Sequence, residues 1–177
     1  MQGQKAEGSR PRSYIYSPFP RGKGAGGVGF AGFVMRRATV DIRVVGLFDL
    51  HEVDRGHIAA EAARSLAIAD VEVDLEELRL CLPSRMIRHL GLAHLHTRRG
   101  SYEGVLREEV VYDAVRLTIL GDFCTTDVLE IPDDRPPTVG RLPLLQLDLV
   151  VDEDRRTLVV NPAHGGVPTL ECYSAGG

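Results

Sequence analysis

The segment Asp74-Leu75-Glu76-Glu77-Leu78 places three carboxylates in four consecutive positions. Taken alone, Asp74 followed three residues later by Glu77 has the form of a capping box, so the segment either opens a short helix or makes an acidic turn. His94 and His96, with His89 nearby, would share one face of a strand. No Asp, Glu or Cys is spaced to complete a metal site with them and there is no His-Glu-x-x-His pattern, so they read as surface or packing histidines. Cys81, Cys124 and Cys172 form an odd set without Cys-x-x-Cys spacing, which argues against a disulfide framework and against structural zinc. Cys81 and Cys124 lie in apolar runs and read as buried thiols. Gly24, Gly26 and Gly29 match a dinucleotide-binding glycine pattern but follow no predicted strand, so they fail its context test. No Ser or Cys sits in a recognisable nucleophile motif.

The elements that must position these groups are mostly strands. Ala38 to Val45 alternates with period two and stops at Gly46. The polar stretch from Glu52 to Arg64 predicts one short helix over Ile58–Ser65, and Leu66 to Val73 returns to a strand pattern. Pro83 to Gly91 predicts a short helix, with proline near its start and glycine just past its end. Further strands are predicted at Val105–Val111, Ala114–Leu120, Phe123–Ile131, Leu147–Val151 and Thr157–Val160. Asp113, Gly121 and Asp133-Asp134 are assigned to turns between some of them. Pro143 to Leu147 reads as one helical turn. Many short strands with few helices predict a compact barrel or sandwich.

A chain of 177 residues suits one domain with a real core. Charge is unevenly divided along it. Residues 1–37 hold seven Lys/Arg against one Glu, or +6, and the remainder holds fourteen Arg against twenty-four Asp/Glu, or −10. An acidic body is a poor partner for nucleic acid, whose phosphates demand a basic face. No run approaches the ~18 apolar residues of a membrane helix, and the opening segment lacks a signal-peptide core, so a cytoplasmic protein without membrane partners is expected. The first 34 residues are rich in Pro, Gly and Ser and are expected to form a disordered N-terminal extension. Met35, just before the first strand, is the expected natural start. Residues 171–177 are expected to be a flexible tail.

Several segments in fixed order resemble the retropepsin-like (clan AA) aspartic proteases. They are Leu80-Cys81-Leu82-Pro83 with the helix to Leu92, Ala114 to Gly121, and Pro136-Pro137-Thr138-Val139-Gly140-Arg141-Leu142-Pro143-Leu144. Leu147 to Asp152 and Asn161 to Gly166 follow, and Val45 to Leu50 is similar to a subgroup with an extended first loop. Together they cover most of residues 37–170. The family carries Val-Asp-Thr-Gly-Ala-Thr, or close to it, just before the Leu-Cys-Leu-Pro segment. Here the residues are Val73-Asp74-Leu75-Glu76-Glu77-Leu78, which keep the aspartate and replace Thr by Leu75 and Gly by Glu76.

The resemblance implies a mainly β fold: a small closed barrel of the acid-protease type, spanning residues 35–170, with one or two short helices. It implies a homodimer, because a domain this short supplies one aspartate, Asp74, to a dyad that needs two about 3 Å apart sharing a proton. The charged carboxylate would activate a water and its protonated partner would polarise the scissile carbonyl of a peptide or protein substrate, with no cofactor or metal. In the family the Thr hydroxyl locks the two loops across the dimer; Leu75 has no such donor. The Gly allows torsions and close approach that a Cβ obstructs, and Glu76 and Glu77 add charge beside the dyad. Impaired catalysis is therefore expected, with a non-catalytic, peptide-binding dimer as the alternative. The matching flap is Thr97 to Gly104, including Arg99, Gly100, Ser101, Tyr102 and Gly104, with glycines suited to a mobile tip.

Overall fold

The computed structural model describes residues 38–102 and 105–169. The expected N-terminal extension and C-terminal tail, Cys172 and Gly104 lie outside the described residues.

The described chain is mainly β, with a few short helices. Strand β1 (Thr39–Gly46) buries Val40, Ile42 and Val44 and exposes Asp41 and Arg43, the alternation of a strand with one face in the core. Helix α1 (Leu47–Asp54) follows at once and is succeeded by a single 3-10 turn, Ala60–Ala62. The helix predicted over Ile58–Ser65 is thus not formed, and one appears earlier, where an extended loop was expected. The cause is an ion pair that sequence spacing conceals. The buried Asp49 of α1 accepts the Arg64 backbone N–H (2.8 Å), its Nε–H (2.8 Å) and its Nη2–H (2.6 Å), drawing Arg64 into an extended conformation before the next strand.

Strand β2 (Ser65–Val73) runs back antiparallel to β1. Strand β3 (Leu80–Pro83) leads into helix α2 (Ser84–Leu90), which ends as predicted. Gly91 takes a left-handed φ of 61°, while its amide and that of Leu92 cap the last turn. The Arg64 guanidinium lies where a Gly91 side chain would stand. Strands β4 (His94–Tyr102) and β5 (Val105–Ile119) form a long hairpin. The turn expected at Asp113 does not occur: β5 passes through as one strand with a bulge, because Asp113 finds its hydrogen bonds at Ala93 instead of closing a loop. The true turn is Leu120-Gly121, where both residues have positive φ (51° and 89°), the geometry that matches the twist of a two-residue hairpin.

Strand β6 (Asp122–Ile131), the short β7 (Thr138–Val139) and helix α3 (Arg141–Gln146) follow. Strands β8 (Leu149–Asp152) and β9 (Thr157–Val160) pair as a separate small sheet. The main sheet has the order β1-β2-β7-β3-β6-β5-β4, and β1 also pairs with β5. Its interior is filled by Val44, Leu80, Leu82, Val115, Leu117 and Val128, all fully buried. No helix among the described residues is long and apolar enough to cross a membrane.

Candidate functional site

The site is built around the short loop joining β2 to β3. Strand β2 pairs in parallel with β7 (Val73↔Val139), and β7 pairs antiparallel with β3 (Leu80↔Val139). Strand β7 therefore lies between the two strands that the loop connects. Four backbone hydrogen bonds fasten the loop to the intruding segment. Asp74 N–H donates to Val139 O (3.0 Å), Gly140 N–H to Arg79 O (2.9 Å), Arg141 N–H to Glu77 O (3.0 Å) and Leu142 N–H to Leu78 O (3.0 Å). A Cβ on Gly140 would sit 2.5–2.6 Å from backbone atoms of Leu78 and Arg79. Glycine is required here by close approach, since its φ of −84° is ordinary.

Asp74 stands at the end of β2, half-buried. Its Oδ1 accepts the Glu76 amide (3.0 Å) and its carbonyl accepts the Glu77 amide (3.2 Å). Of the two residue-only readings, an acidic turn is what forms. Glu76 lies outside the left-handed region, so the torsional freedom expected to be missed at this position is not needed. Leu75 is 52% exposed, Glu76 is exposed, and Glu77 is half-buried with its carbonyl bonded to α3. The far end of the loop is anchored by Arg79, whose Nε–H donates to Asp127 Oδ2 on β6 at 2.8 Å. That anchor was not legible in the sequence, where the two residues stand 48 positions apart.

Cys81 lies just beyond the loop, 1% exposed. Burial, reinforced by the charges of Glu77, Asp74 and Glu109 and opposed by a Thr138 hydrogen bond, pushes its thiol up to about 12. Cys124 is also buried, and burial with the charge of Asp122 pushes it up to about 11. Both thiols are buried, as their apolar surroundings suggested.

In the hairpin, Arg98 Nε–H donates to Glu109 Oε2 at 2.8 Å, and the Glu109 carboxylate lies over Gly100, where a Cβ would collide with it. Arg99 is exposed and opposite Glu108, while Ser101 and Tyr102 are the last paired residues of β4, opposite Leu106 and Val105. His94 shares a 3.0 Å hydrogen bond with the Thr97 hydroxyl and packs edge-on against Tyr112. Among the described residues no group of three or more His, Cys, Asp or Glu is arranged to hold a metal.

A second polar node follows α3. Asp148, 9% exposed and at a φ of 51°, bonds His164 Nδ1 (2.7 Å) and accepts from Asn161 Nδ2–H (3.1 Å) and the Thr169 amide (2.9 Å). Burial opposes ionisation, but these bonds outweigh it and hold the Asp148 carboxyl below the usual range. The node ties residues 161–169 to the helix that fastens the Asp74 loop. No protein-family model matches this chain, and no curated protein does.

Proposed function

We propose that residues 35–170 are a retropepsin-like aspartic protease domain that works as a homodimer, with Asp74 contributed by each copy and peptide hydrolysis weakened by Leu75 and Glu76. The observation that carries this reading is the threading of β7 and Gly140 between β2 and β3, which bonds the Asp74 loop on both sides. A strand order that returns from β5 to β1 supports the closed-barrel form of the fold. Support for a second copy comes from the leucines beside Asp74. Leu78 and Leu142 are neighbours through a backbone hydrogen bond, and Leu142 and Leu145 share one face of α3. All three are more than a third exposed, as is Leu75, and an apolar patch of this kind marks a contact surface.

With two copies, the Asp74 carboxylates would share a proton and activate one water against the carbonyl of an extended peptide. Leu75 offers no hydroxyl to lock the loops, so their spacing rests on apolar contact and on the anchors of Arg79 and Gly140. The exposed Glu76 adds charge that disfavours bringing two loops together. These replacements also favour a second reading: a non-catalytic dimer that binds extended peptides beneath the hairpin.

Cleavage of a mixed peptide library by the full chain from pH 3 to 7, beside Asp74→Asn, tests the proposal. Cleavage abolished by the substitution supports the dyad. A folded, dimeric protein without cleavage supports the binding reading, and a strictly monomeric protein refutes both.

A further inference from the structure

Strands β2, β1, β5 and β6 turn one face to the core and the other outward. Ile42, Val44, Leu117 and Cys124 point inward and are buried. On the outer face Ala67, Arg43, Thr118 and Phe123 stand in register and form one row across the four strands. Arg116, one row on and opposite Thr125, lays its guanidinium over the Phe123 ring at 4.7 Å from the centroid. Phe123 is nevertheless 55% exposed, an aromatic ring where the alternation calls for a polar side chain.

The positive charges on this face are uncompensated. Elsewhere Arg64, Arg79 and Arg98 each meet a carboxylate at 2.6–2.8 Å. Among the described residues neither Arg43 nor Arg116 meets one. The carboxylates bordering the face are turned to the backbone. Asp41 accepts the Asp70 amide (3.0 Å), and Asp122 accepts the Phe123 amide (2.7 Å). The two arginines are diagonal neighbours on adjacent strands, within reach of one bound segment. They stand out in a body whose residues 38–177 carry fourteen Arg against twenty-four Asp/Glu.

We infer that this face docks an acidic segment of a partner protein, its carboxylates held by Arg43 and Arg116 and an apolar side chain laid against Phe123. Guanidinium groups without a carboxylate partner keep their N–H forks for bidentate contact. Stacking on Phe123 fixes the Arg116 plane, so less side-chain freedom is lost on binding. A nucleic acid or a lipid surface would bring its phosphates onto Asp41, Asp70 and Asp122 around only two cations, and tight binding to phosphate polymers rests on many such contacts. A short acidic segment needs two. The inference does not depend on the function proposed for Asp74.

Fluorescence anisotropy of the full chain with a short fluorescein-labelled peptide of alternating Glu and Ala bearing one Phe tests the docking face. Saturable binding that weakens with added salt is expected. Arg43→Gln and Arg116→Gln should each lower affinity roughly two- to fivefold, the factor for an exposed ion pair. Phe123→Ala should lower it by a similar factor. Arg135→Gln, which removes an exposed arginine from the turn after β6, and Asp74→Asn should bind as wild type. Arg43 is exposed and without an ion pair, so its variant keeps the fold whatever befalls Arg116→Gln. No saturable binding, or equal affinity in wild type and Arg43→Gln, overturns the proposal. Binding lost only in Asp74→Asn moves the peptide to the loop and overturns it as well. Tighter binding of a single-stranded RNA oligonucleotide or of phosphatidylserine vesicles, lost in the same arginine variants, would replace the acidic segment by a phosphate-bearing partner.

Discussion

The Gly140 amide donates to the Arg79 carbonyl across 2.9 Å, and no Cβ fits between the two backbones. This contact fastens one end of the Asp74 loop to the strand threaded through it. Gly140→Ala must push apart backbone atoms rather than a movable side-chain tip. The expected cost is about 1–3 kcal/mol, the range for overfilling a packed site, read as a lowered midpoint in urea. Exchange should rise first at Glu77, Leu78 and Arg79. An alanine variant with wild-type stability would show that the close approach is relaxed in solution.

Under the proposed function, Leu75 and Glu76 stand where the resembled family carries Thr and Gly. If the proposed function holds, Leu75→Thr with Glu76→Gly restores the cross-dimer lock and removes two carboxylates from the dimer centre. Cleavage by the full chain should rise by about 10²-fold, the order associated with a slip of about 1 Å in positioning. The gain must disappear when Asp74→Asn is added. A double variant that folds and dimerises but cleaves no faster would count against Asp74 as the catalytic position.

The Asp49–Arg64 pair predicts a specific acid sensitivity. The hydrogen bonds and charge of Arg64 hold the Asp49 carboxyl below its ordinary value of 3.8 despite burial. A carboxyl lowered on folding stabilises the protein above the unfolded-state value, and that stability is lost as pH falls through the folded-state value. At pH 7, Asp49→Asn should therefore cost about 1.5–3 kcal/mol, toward the lower end because the Arg64 side chain is 44% exposed and partly screened. The difference from wild type should shrink below pH 3.8. A gap that stays constant down to pH 2.5 would assign the loss to packing instead of charge.

Cys81 and Cys124 should resist alkylation in the folded state. With thiols pushed up to about 12 and about 11, and with both side chains buried, little thiolate is available at pH 8. Iodoacetamide followed by peptide mass mapping should label them only after denaturant is added. Rapid labelling of Cys81 in native protein would mean that the strand beneath the loop opens readily.

Much of the β framework was legible from the chain itself. Period-two alternation marked β1, Pro83 and Gly91 bracketed α2, and Gly121 marked the turn before β6, because each signal acts within a few residues. Local patterning also placed Asp74 at the end of a strand. It failed where a distant partner decided the outcome. Asp49 found its partner in Arg64, fifteen residues on, and Ala93 took up the hydrogen bonds of Asp113, turning an expected turn into a bulge in one long strand. The sequence determined which residues can carry charge and which must be buried. Tertiary structure alone decided that β7 passes through the Asp74 loop, that Arg79 is anchored to Asp127, and that Glu109 lies over Gly100. Those contacts join residues far apart in the chain, and their geometry exists only once the core has brought the strands together.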